Sequence, residues 1–464
     1  MYRSRVVIVW ITLLLVLGTA CSRETQQNDL PTVVSGVTEA VVPAESPIPT
    51  ATPTMALQNS PTPTTVLQKT GTPMPTKVPG EADYWVGIMC ETGEEPDYAL
   101  AEKAYLKSAE AEYPSAYQRL GAIYYNGVLG EPDYEKSLYW YEKAVKVNTI
   151  NGDGMFYMGY MYYNGLAGEP EYEKALSCYL KAVRAGSINA INNIGVIYED
   201  GVLGEPDYQT AKSWYEKAVK NGNIAAMENL GSMYYEGQLG EPDYETAMYW
   251  YLKSAEAGNC RRTMALRIGY MYDCGLVGEV NYKEAVRWYE KSAELGDKAA
   301  MFNLGRIYRY GYLGEVDSKK AKIWYEKSAE AGFVDAMTGL ANMHYHGEIE
   351  GASREECVKW YKRAADAGDA ESMLWMGILC ESGYIEGMDD IQADQWYLKA
   401  AECGNTAAMN SVGINCLRQG KYEEALLWFG KMIDNGEVEL GRIHIRRVVE
   451  KGQITPEEAA KWLE

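Results

Sequence analysis

A small residue recurs along this chain at intervals of 36 or 38 residues, and this period constrains the fold more than any other feature. Between these positions the same succession of apolar, aromatic and glycine residues returns in nearly every interval. A period of this length indicates that one supersecondary unit is repeated and stacked on copies of itself. The recurring positions are Gly121, Gly159, Gly195, Gly231, Gly269, Gly305, Ala341, Gly377 and Gly413.

Residues 225–259 show the plan of one unit. Apolar residues recur at helical spacing in both halves of it. Gly237 and Gly258 stand where each helix should end, because glycine readily takes the left-handed conformation that closes a helix. Each unit therefore predicts two antiparallel helices, whose apolar faces are buried only against neighbouring units. The predicted fold class is all-α, an α/α superhelical solenoid of helix-turn-helix repeats.

The motif LGEPDY at residues 129–134 returns at 203–208 and 239–244, with variants in other units. Its aspartate lies just before the second helix, where a carboxylate can accept hydrogen bonds from the free backbone amides of the first turn. The preceding proline disfavours a helical conformation for the residue before it, which sharpens the helix start. A second interpretation, an acidic edge that binds cations or a basic partner, stays open. The predicted N-cap residues are Asp97, Asp133, Asp207, Asp243, Asp317 and Asp389.

The first residues have the pattern of an export signal. Arg3 and Arg5 precede an apolar run over 6–17 that is too short to span a bilayer as a mature helix. The residues that follow, Leu-Gly-Thr-Ala before Cys21, resemble a bacterial lipobox, which implies lipid attachment at Cys21. We therefore expect residues 1–21 to be a lipoprotein signal peptide. The protein would be exported and anchored to the outer face of the cytoplasmic membrane, or to the outer membrane if the organism has one; an ordinary secretory signal is the alternative.

Residues 22–82 form a Pro/Thr-rich segment that holds ten of the 17 prolines. Such a segment has few large apolar residues, and its prolines lack backbone donors, so it cannot form a packed core. We expect a disordered tether that holds the repeats away from the membrane.

The units combine Leu-Gly-x-Met-Tyr, a loop glycine, Asp-Tyr-x-x-Ala and Trp-Tyr-x-Lys-Ala. This pattern resembles that of Sel1-like repeats, relatives of tetratricopeptide repeats, in ten units over residues 83–436. Residues 437–464 look like a capping helix pair with Thr455 as N-cap and Pro456 at the first helical position. The resemblance implies a scaffold for protein–protein interaction that assembles complexes and does not catalyse.

Signals for chemistry are few. The three histidines are His344, His346 and His444, and His344-Tyr-His346 lacks the spacing that puts two metal ligands on one helix face. No glycine-rich phosphate loop or nucleophile elbow is present. Most of the nine cysteines replace core residues of the repeat, which predicts buried free thiols. We expect no catalytic residue, no metal and no cofactor.

The net charge of −21 argues against nucleic acid as a partner, because phosphate binding needs clustered Lys and Arg. It also gives no electrostatic attraction to anionic lipid, so membrane contact is expected only through the N-terminal lipid.

Columns that vary between units are free to recognise a ligand, whereas constant columns hold the fold. Two columns of the first helix, two residues before the recurring glycine and one residue after it, share one face and vary strongly. Tyr, Trp and Arg dominate interface energetics. The predicted protein-binding stripe on the concave surface comprises Tyr157, Tyr160, Arg267, Tyr270, Arg306 and Trp375.

The sequence therefore predicts a lipid-anchored, non-catalytic adaptor that binds a protein or peptide of unknown identity. Two alternatives stay open. The first is a cell-envelope enzyme or a peptidoglycan- or β-lactam-binding protein, and the second is a purely structural spacer.

Overall fold

The structure, a computed structural model, describes residues 78–463. These residues contain 22 helices and no strand. The helices are α1 (Glu81–Thr92), α2 (Tyr98–Glu110), α3 (Ser115–Asn126), α4 (Tyr134–Lys146), α5 (Gly152–Asn164), α6 (Tyr172–Arg184), α7 (Ile188–Glu199), α8 (Tyr208–Lys220), α9 (Ala225–Tyr235), α10 (Tyr244–Glu256), α11 (Arg262–Asp273), α12 (Tyr282–Glu294), α13 (Lys298–Tyr310), α14 (Ser318–Glu330), α15 (Val334–His346), α16 (Arg354–Asp366), α17 (Ala370–Glu381), α18 (Asp390–Glu402), α19 (Thr406–Arg418), α20 (Tyr422–Asp434), α21 (Val438–Glu450) and α22 (Pro456–Leu463).

The described chain divides into two compact units. The N-terminal unit contains residues 78–264 and 274–280, and the C-terminal unit contains residues 265–273 and 281–463. In each unit an odd-numbered helix, the first helix of a repeat, packs against the even-numbered helix that follows it. The all-α solenoid of helix-turn-helix repeats is thus confirmed.

Glycines follow both helices of a repeat as the sequence predicts. After α9, Gly237 has φ +69°, and after α10, Gly258 has φ +92°. A Cβ on Gly237 would lie 2.9 Å from Cδ of Pro242, so the loop also lacks room for a side chain there. The turn then leads directly into α10, whose N-cap is Asp243.

The core of the N-terminal unit lies between successive first helices and between the two helices of each repeat. The residue two positions after the recurring glycine is buried in the inner repeats. Met161 and Met233 are examples, each at most 1% exposed. Burial of such a side chain contributes about 1.5–3 kcal/mol. In α1 the same position holds Met89, which is 68% exposed, and no described residue packs a further repeat against it.

The C-terminal unit ends in α21 and α22. The indole of Trp462 lies against Gly430, where a Cβ would overlap its ring. Thr455 caps α22: its Oγ1 accepts from the amide of Glu458 at 3.3 Å, and its own amide donates to the Glu458 carboxylate at 2.7 Å. This reciprocal pair is a capping box, which fixes the start of a short helix.

The expected signal peptide, Cys21 and almost all of the tether lie outside the described residues. The tether was expected to extend to residue 82, but α1 begins at Glu81, after Gly80 with φ +78°. The repeats therefore begin two residues earlier than the sequence predicts.

Candidate functional site

The recurring glycine makes room for a tyrosine of the second helix. In the fourth repeat the ring of Tyr215 on α8 lies against Gly195 on α7, and a Cβ at Gly195 would come within 2.5 Å of Cε1. Tyr215 is 0% exposed. The ring therefore passes close to the backbone of the first helix and carries its hydroxyl to the opposite side. We call this contact the Gly–Tyr joint and the side that the hydroxyl reaches the first-helix face.

Four repeats place a carboxylate four residues after the glycine, within reach of this hydroxyl. Tyr215 donates to Glu199 at 2.5 Å, Tyr289 to Asp273 at 2.9 Å and Tyr397 to Glu381 at 2.8 Å. Tyr105 donates in the same way to Glu91.

Burial sets the electrostatics of three of these carboxylates, Glu91, Glu199 and Asp273. Desolvation raises the pKa of Glu199 to about 7, against the lowering effect of the Tyr215 and Gln238 hydrogen bonds. It also raises the pKa of Glu91 and of Asp273, each of which is partly compensated by an arginine.

Arginines of the following repeat pair with three of the four carboxylates. Arg119 lies 3.3 Å from Glu91, Arg306 forms an ion pair with Asp273, and Arg418 lies 3.8 Å from Glu381. Glu91 and Asp273 are buried, and the arginine is the partner that a buried carboxylate needs.

The predicted binding stripe is only partly at the surface. Tyr157 is 4% exposed and lies against Tyr125, with ring centroids 4.5 Å apart. Arg267 is 2% exposed. The expectation that these two side chains are presented to a ligand is wrong, because both are buried, and Tyr157 packs against Tyr125 of the preceding first helix.

The other four residues of the stripe are half-buried. Arg306 is held by Asp273, and Trp375 stacks on Tyr361 with ring centroids 5.6 Å apart. The structure therefore brings the six residues to the first-helix side of their repeats, without joining them into one site. Those still partly exposed are Tyr160, Tyr270, Arg306 and Trp375.

The six predicted N-cap aspartates each accept a hydrogen bond from the backbone amide three residues later, at 2.9–3.0 Å. The bond from the Thr246 amide lowers the pKa of the Asp243 carboxyl, as expected for an acceptor at a helix start. The pKa of Asp133 is lowered first by the hydrogen bond from the Lys136 side chain and then by that from the Lys136 amide. Glu171 occupies the same position before α6, and its side chain makes no capping hydrogen bond. The N-caps are Asp97, Asp133, Asp207, Asp243, Asp317 and Asp389.

A comparison with known protein families identifies the family of these repeats. The family model described as the Sel1 repeat matches nine stretches, which follow one another from residue 80 to residue 405. The chain belongs to the Sel1 repeat family. The matched stretches are 80–113, 114–146, 152–187, 188–223, 224–259, 264–297, 298–333, 334–369 and 370–405. The tenth helix pair, α19 and α20, lies beyond them and has an equivalent contact, in which the ring of Phe429 lies against Gly413.

Solved structures of Sel1 repeat proteins resemble this one. A protective antigen of uropathogenic Escherichia coli strains, which displays an SLR fold, matches with a TM-score of 0.63 and 28% identity over 82% of this chain and 83% of its own. A Sel1 repeat protein from Oxalobacter formigenes matches with a TM-score of 0.50 and 24% identity over 65% of this chain and 87% of its own. The comparison with curated proteins found no match. Sel1 repeat proteins generally mediate protein–protein interactions, and their solenoid is typically a non-catalytic scaffold.

Sequence reasoning missed two exposed aromatic residues on the first helices of these Sel1 repeats. Tyr310, at the end of α13, is 51% exposed, and Tyr345, near the end of α15, is 37% exposed. The ring centroids of Tyr345 and Trp375 are 5.4 Å apart. These tyrosines stand four or five residues after the recurring small residue, one helical turn beyond the column that the prediction used. Extending the same face by one turn would have found them.

Four of the described cysteines, Cys178, Cys357, Cys380 and Cys416, are buried free thiols. Desolvation raises the pKa of Cys178 and of Cys357 to about 11, which makes them poor nucleophiles. His344 accepts a hydrogen bond at Nδ1 from the amide of Ser353 at 3.3 Å, and burial lowers its pKa.

Between residues 78 and 463 no group of three or more His, Cys, Asp or Glu side chains is arranged to hold a metal ion. Over the same range no helix combines the length and the apolar character that crossing a bilayer requires.

Proposed function

We propose that this Sel1 repeat protein is an exported, lipid-anchored and non-catalytic scaffold that binds a protein or peptide partner on its first-helix face. The observation that carries the proposal is the contrast between two sides of the first helix. The Gly–Tyr joint is nearly constant from repeat to repeat, whereas the first-helix face changes from carboxylate to tyrosine to arginine. A surface that varies on a constant frame is suited to recognise one partner along several repeats.

The C-terminal unit offers the clearest contact region. Tyr310, Tyr345 and Trp375, the C-terminal aromatic surface, come from three successive first helices. Arg309 beside Tyr310 forms two 2.8 Å hydrogen bonds with Glu348, which follows α15. This bidentate pair links adjacent repeats next to the exposed rings. Rigid aromatic side chains of this kind supply much of the energy of protein interfaces.

Export and anchoring are supported by the sequence before residue 78. The charged start, the short apolar run and Cys21 fit a lipoprotein signal, and two acyl chains suffice for stable attachment. Cys21→Ala should then move the protein from the membrane fraction to the soluble fraction. It should also remove the acyl mass from the N-terminal peptide in mass spectrometry.

A crosslinking pull-down from intact cells tests the binding function. The full chain should capture a specific partner, and Tyr345→Ala should reduce the captured amount at least several-fold. Tyr249→Ala is the matched control, because Tyr249 is 50% exposed but lies on α10, a second helix. Equal capture by both variants would refute the assignment of the first-helix face.

A further inference from the structure

The four carboxylates that receive a tyrosine hydroxyl are equivalent positions of one repeat, so their surroundings can be compared directly. Glu91, Asp273 and Glu381 each pair with an arginine of the following repeat. Those arginines stand at three different places: Arg119 is two residues before the recurring glycine, and Arg306 is one residue after it. Arg418 is five residues after it. The fold therefore has three routes by which a guanidinium reaches this carboxylate.

Glu199 has no arginine at any of these three places. In the repeat that follows it, the glycine is Gly231, and the three places hold Asn229, Ser232 and Glu236. Among the described residues Glu199 accepts a hydrogen bond from the hydroxyl of Tyr215, and no cation forms an ion pair with it. The Gln238 side chain lies near enough to lower the pKa of Glu199, and its amide donates to Glu236 at 3.2 Å.

The surroundings of Glu199 are rich in acceptors. Asp200 follows it directly and accepts a hydrogen bond from Tyr163 of the preceding repeat. Glu236 lies near enough to raise the pKa of Glu199 further, as does Asp200. Independently of these charges, Oε1 of Gln238 is buried and has no hydrogen-bond partner in the described part of the chain. A buried acceptor without a donor costs about 1–3 kcal/mol and favours a ligand that carries N–H groups.

Glu199 itself is 6% exposed, so solvent does little to satisfy its charge. Asp200 and Gln238 beside it are half-buried. A guanidinium can donate to a carboxylate and to a neighbouring amide oxygen at the same time, because its five N–H groups form a planar fork.

We propose that Glu199, with Asp200 and Gln238, forms a binding site for an arginine side chain of the partner protein, which takes the place that Arg119, Arg306 and Arg418 fill within the chain. The inference rests on the proposed scaffold function and specifies the chemistry of one contact on that face. The net charge of −21 favours the approach of such a basic partner.

A peptide with a single arginine tests the site. Acetyl-Ala-Arg-Ala-amide is titrated into the protein, and binding is followed by saturation-transfer NMR on the peptide signals. The same peptide with citrulline has nearly the same shape but no charge. We expect the arginine peptide to bind at least tenfold more tightly than the citrulline peptide, and Glu199→Gln to weaken the arginine peptide at least tenfold.

Glu205→Gln is the matched control, because it removes the same charge from an exposed loop position of the same repeat and should leave peptide binding unchanged. A second pair of variants supplies the arginine within the chain: Asn229→Arg copies the route of Arg119, and Ser232→Arg copies that of Arg306. At least one of them should fill the site, raise the melting temperature and abolish peptide binding.

The proposal is overturned if the wild-type protein does not distinguish arginine from citrulline, or if folded Glu199→Gln binds the arginine peptide as tightly as the wild type. Folding of each variant is verified by circular dichroism, and the two arginine variants decide the matter if Glu199→Gln does not fold. If Tyr345→Ala loses partner capture and the wild-type protein does not bind the arginine peptide, the arginine site is refuted but the proposed scaffold function is not. Unchanged capture in Tyr345→Ala would refute the proposed first-helix face instead.

Discussion

The hydroxyl of Tyr215 reaches the carboxylate of Glu199 at 2.5 Å by passing over Gly195, a residue that has no side chain to obstruct the ring. One contact of the fold thus places a buried acid on the first-helix face. Its consequences for titration, packing and recognition can each be measured.

Glu199 should make the stability of the chain fall as the pH rises. Its pKa is raised from 4.5 to about 7 in the folded state, so the folded protein binds a proton more tightly than the unfolded one. Stability is then lost between about pH 4.5 and pH 7, by roughly 3 kcal/mol. Asp200 and Glu236 face Glu199, and both oppose its ionisation.

Glu199→Gln removes this titration. Its unfolding free energy relative to the wild type should rise between pH 5 and pH 8, as measured by urea denaturation at several pH values. A difference that does not depend on pH would contradict the raised pKa.

Gly195→Ala should destabilise the fourth repeat by about 1–3 kcal/mol, because the new Cβ overlaps a ring that has no free space to move into. The double variant Gly195→Ala/Tyr215→Leu removes the ring that the new Cβ overlaps. The losses of unfolding free energy of the two single variants should therefore be less than additive, which a double-mutant cycle detects. Strict additivity would mean that the contact is not the source of the loss.

Met161→Ala should cost about 2–5 kcal/mol, since its side chain is 1% exposed between adjacent first helices. Met89→Ala changes the same position of the first repeat, where the side chain is 68% exposed. That substitution should alter the unfolding free energy by no more than about 0.5 kcal/mol. A large loss in Met89→Ala would show that another part of the chain or a partner covers α1.

Asp243→Ala should cost about 1 kcal/mol, because it removes the acceptor for the Thr246 amide at 3.0 Å. Glu171→Asp should have the opposite effect and stabilise the chain by a similar amount, since the shorter side chain can cap α6 where glutamate does not. Melting temperatures of the two variants should therefore shift in opposite directions. Two shifts of the same sign would contradict the capping role of this position.

The helix pairs, their ends and their caps could be predicted from the sequence because each depends on residues a few positions apart. Gly237, Asp243 and Thr455 act on the turn in which they lie. The burial of Tyr157 and Arg267 could not be predicted in this way. It depends on how closely adjacent first helices pack, and a column that looks variable in sequence can still lie inside that contact.

The pairing of Asp273 with Arg306 was missed for a related reason. The two residues are 33 positions apart, and only the superposition of repeats shows that one follows its glycine by four residues and the other by one. Searching for opposite charges at these offsets in successive repeats would have found this pair, and the same search would have singled out Glu199.

Each Gly–Tyr joint is completed within a single pair of helices. A gene segment that encodes one pair, when duplicated, brings both halves of its own joint along and demands no matching change elsewhere. Such an array can grow or shrink during evolution by whole repeats, while the residues beside each joint diverge to suit new partners.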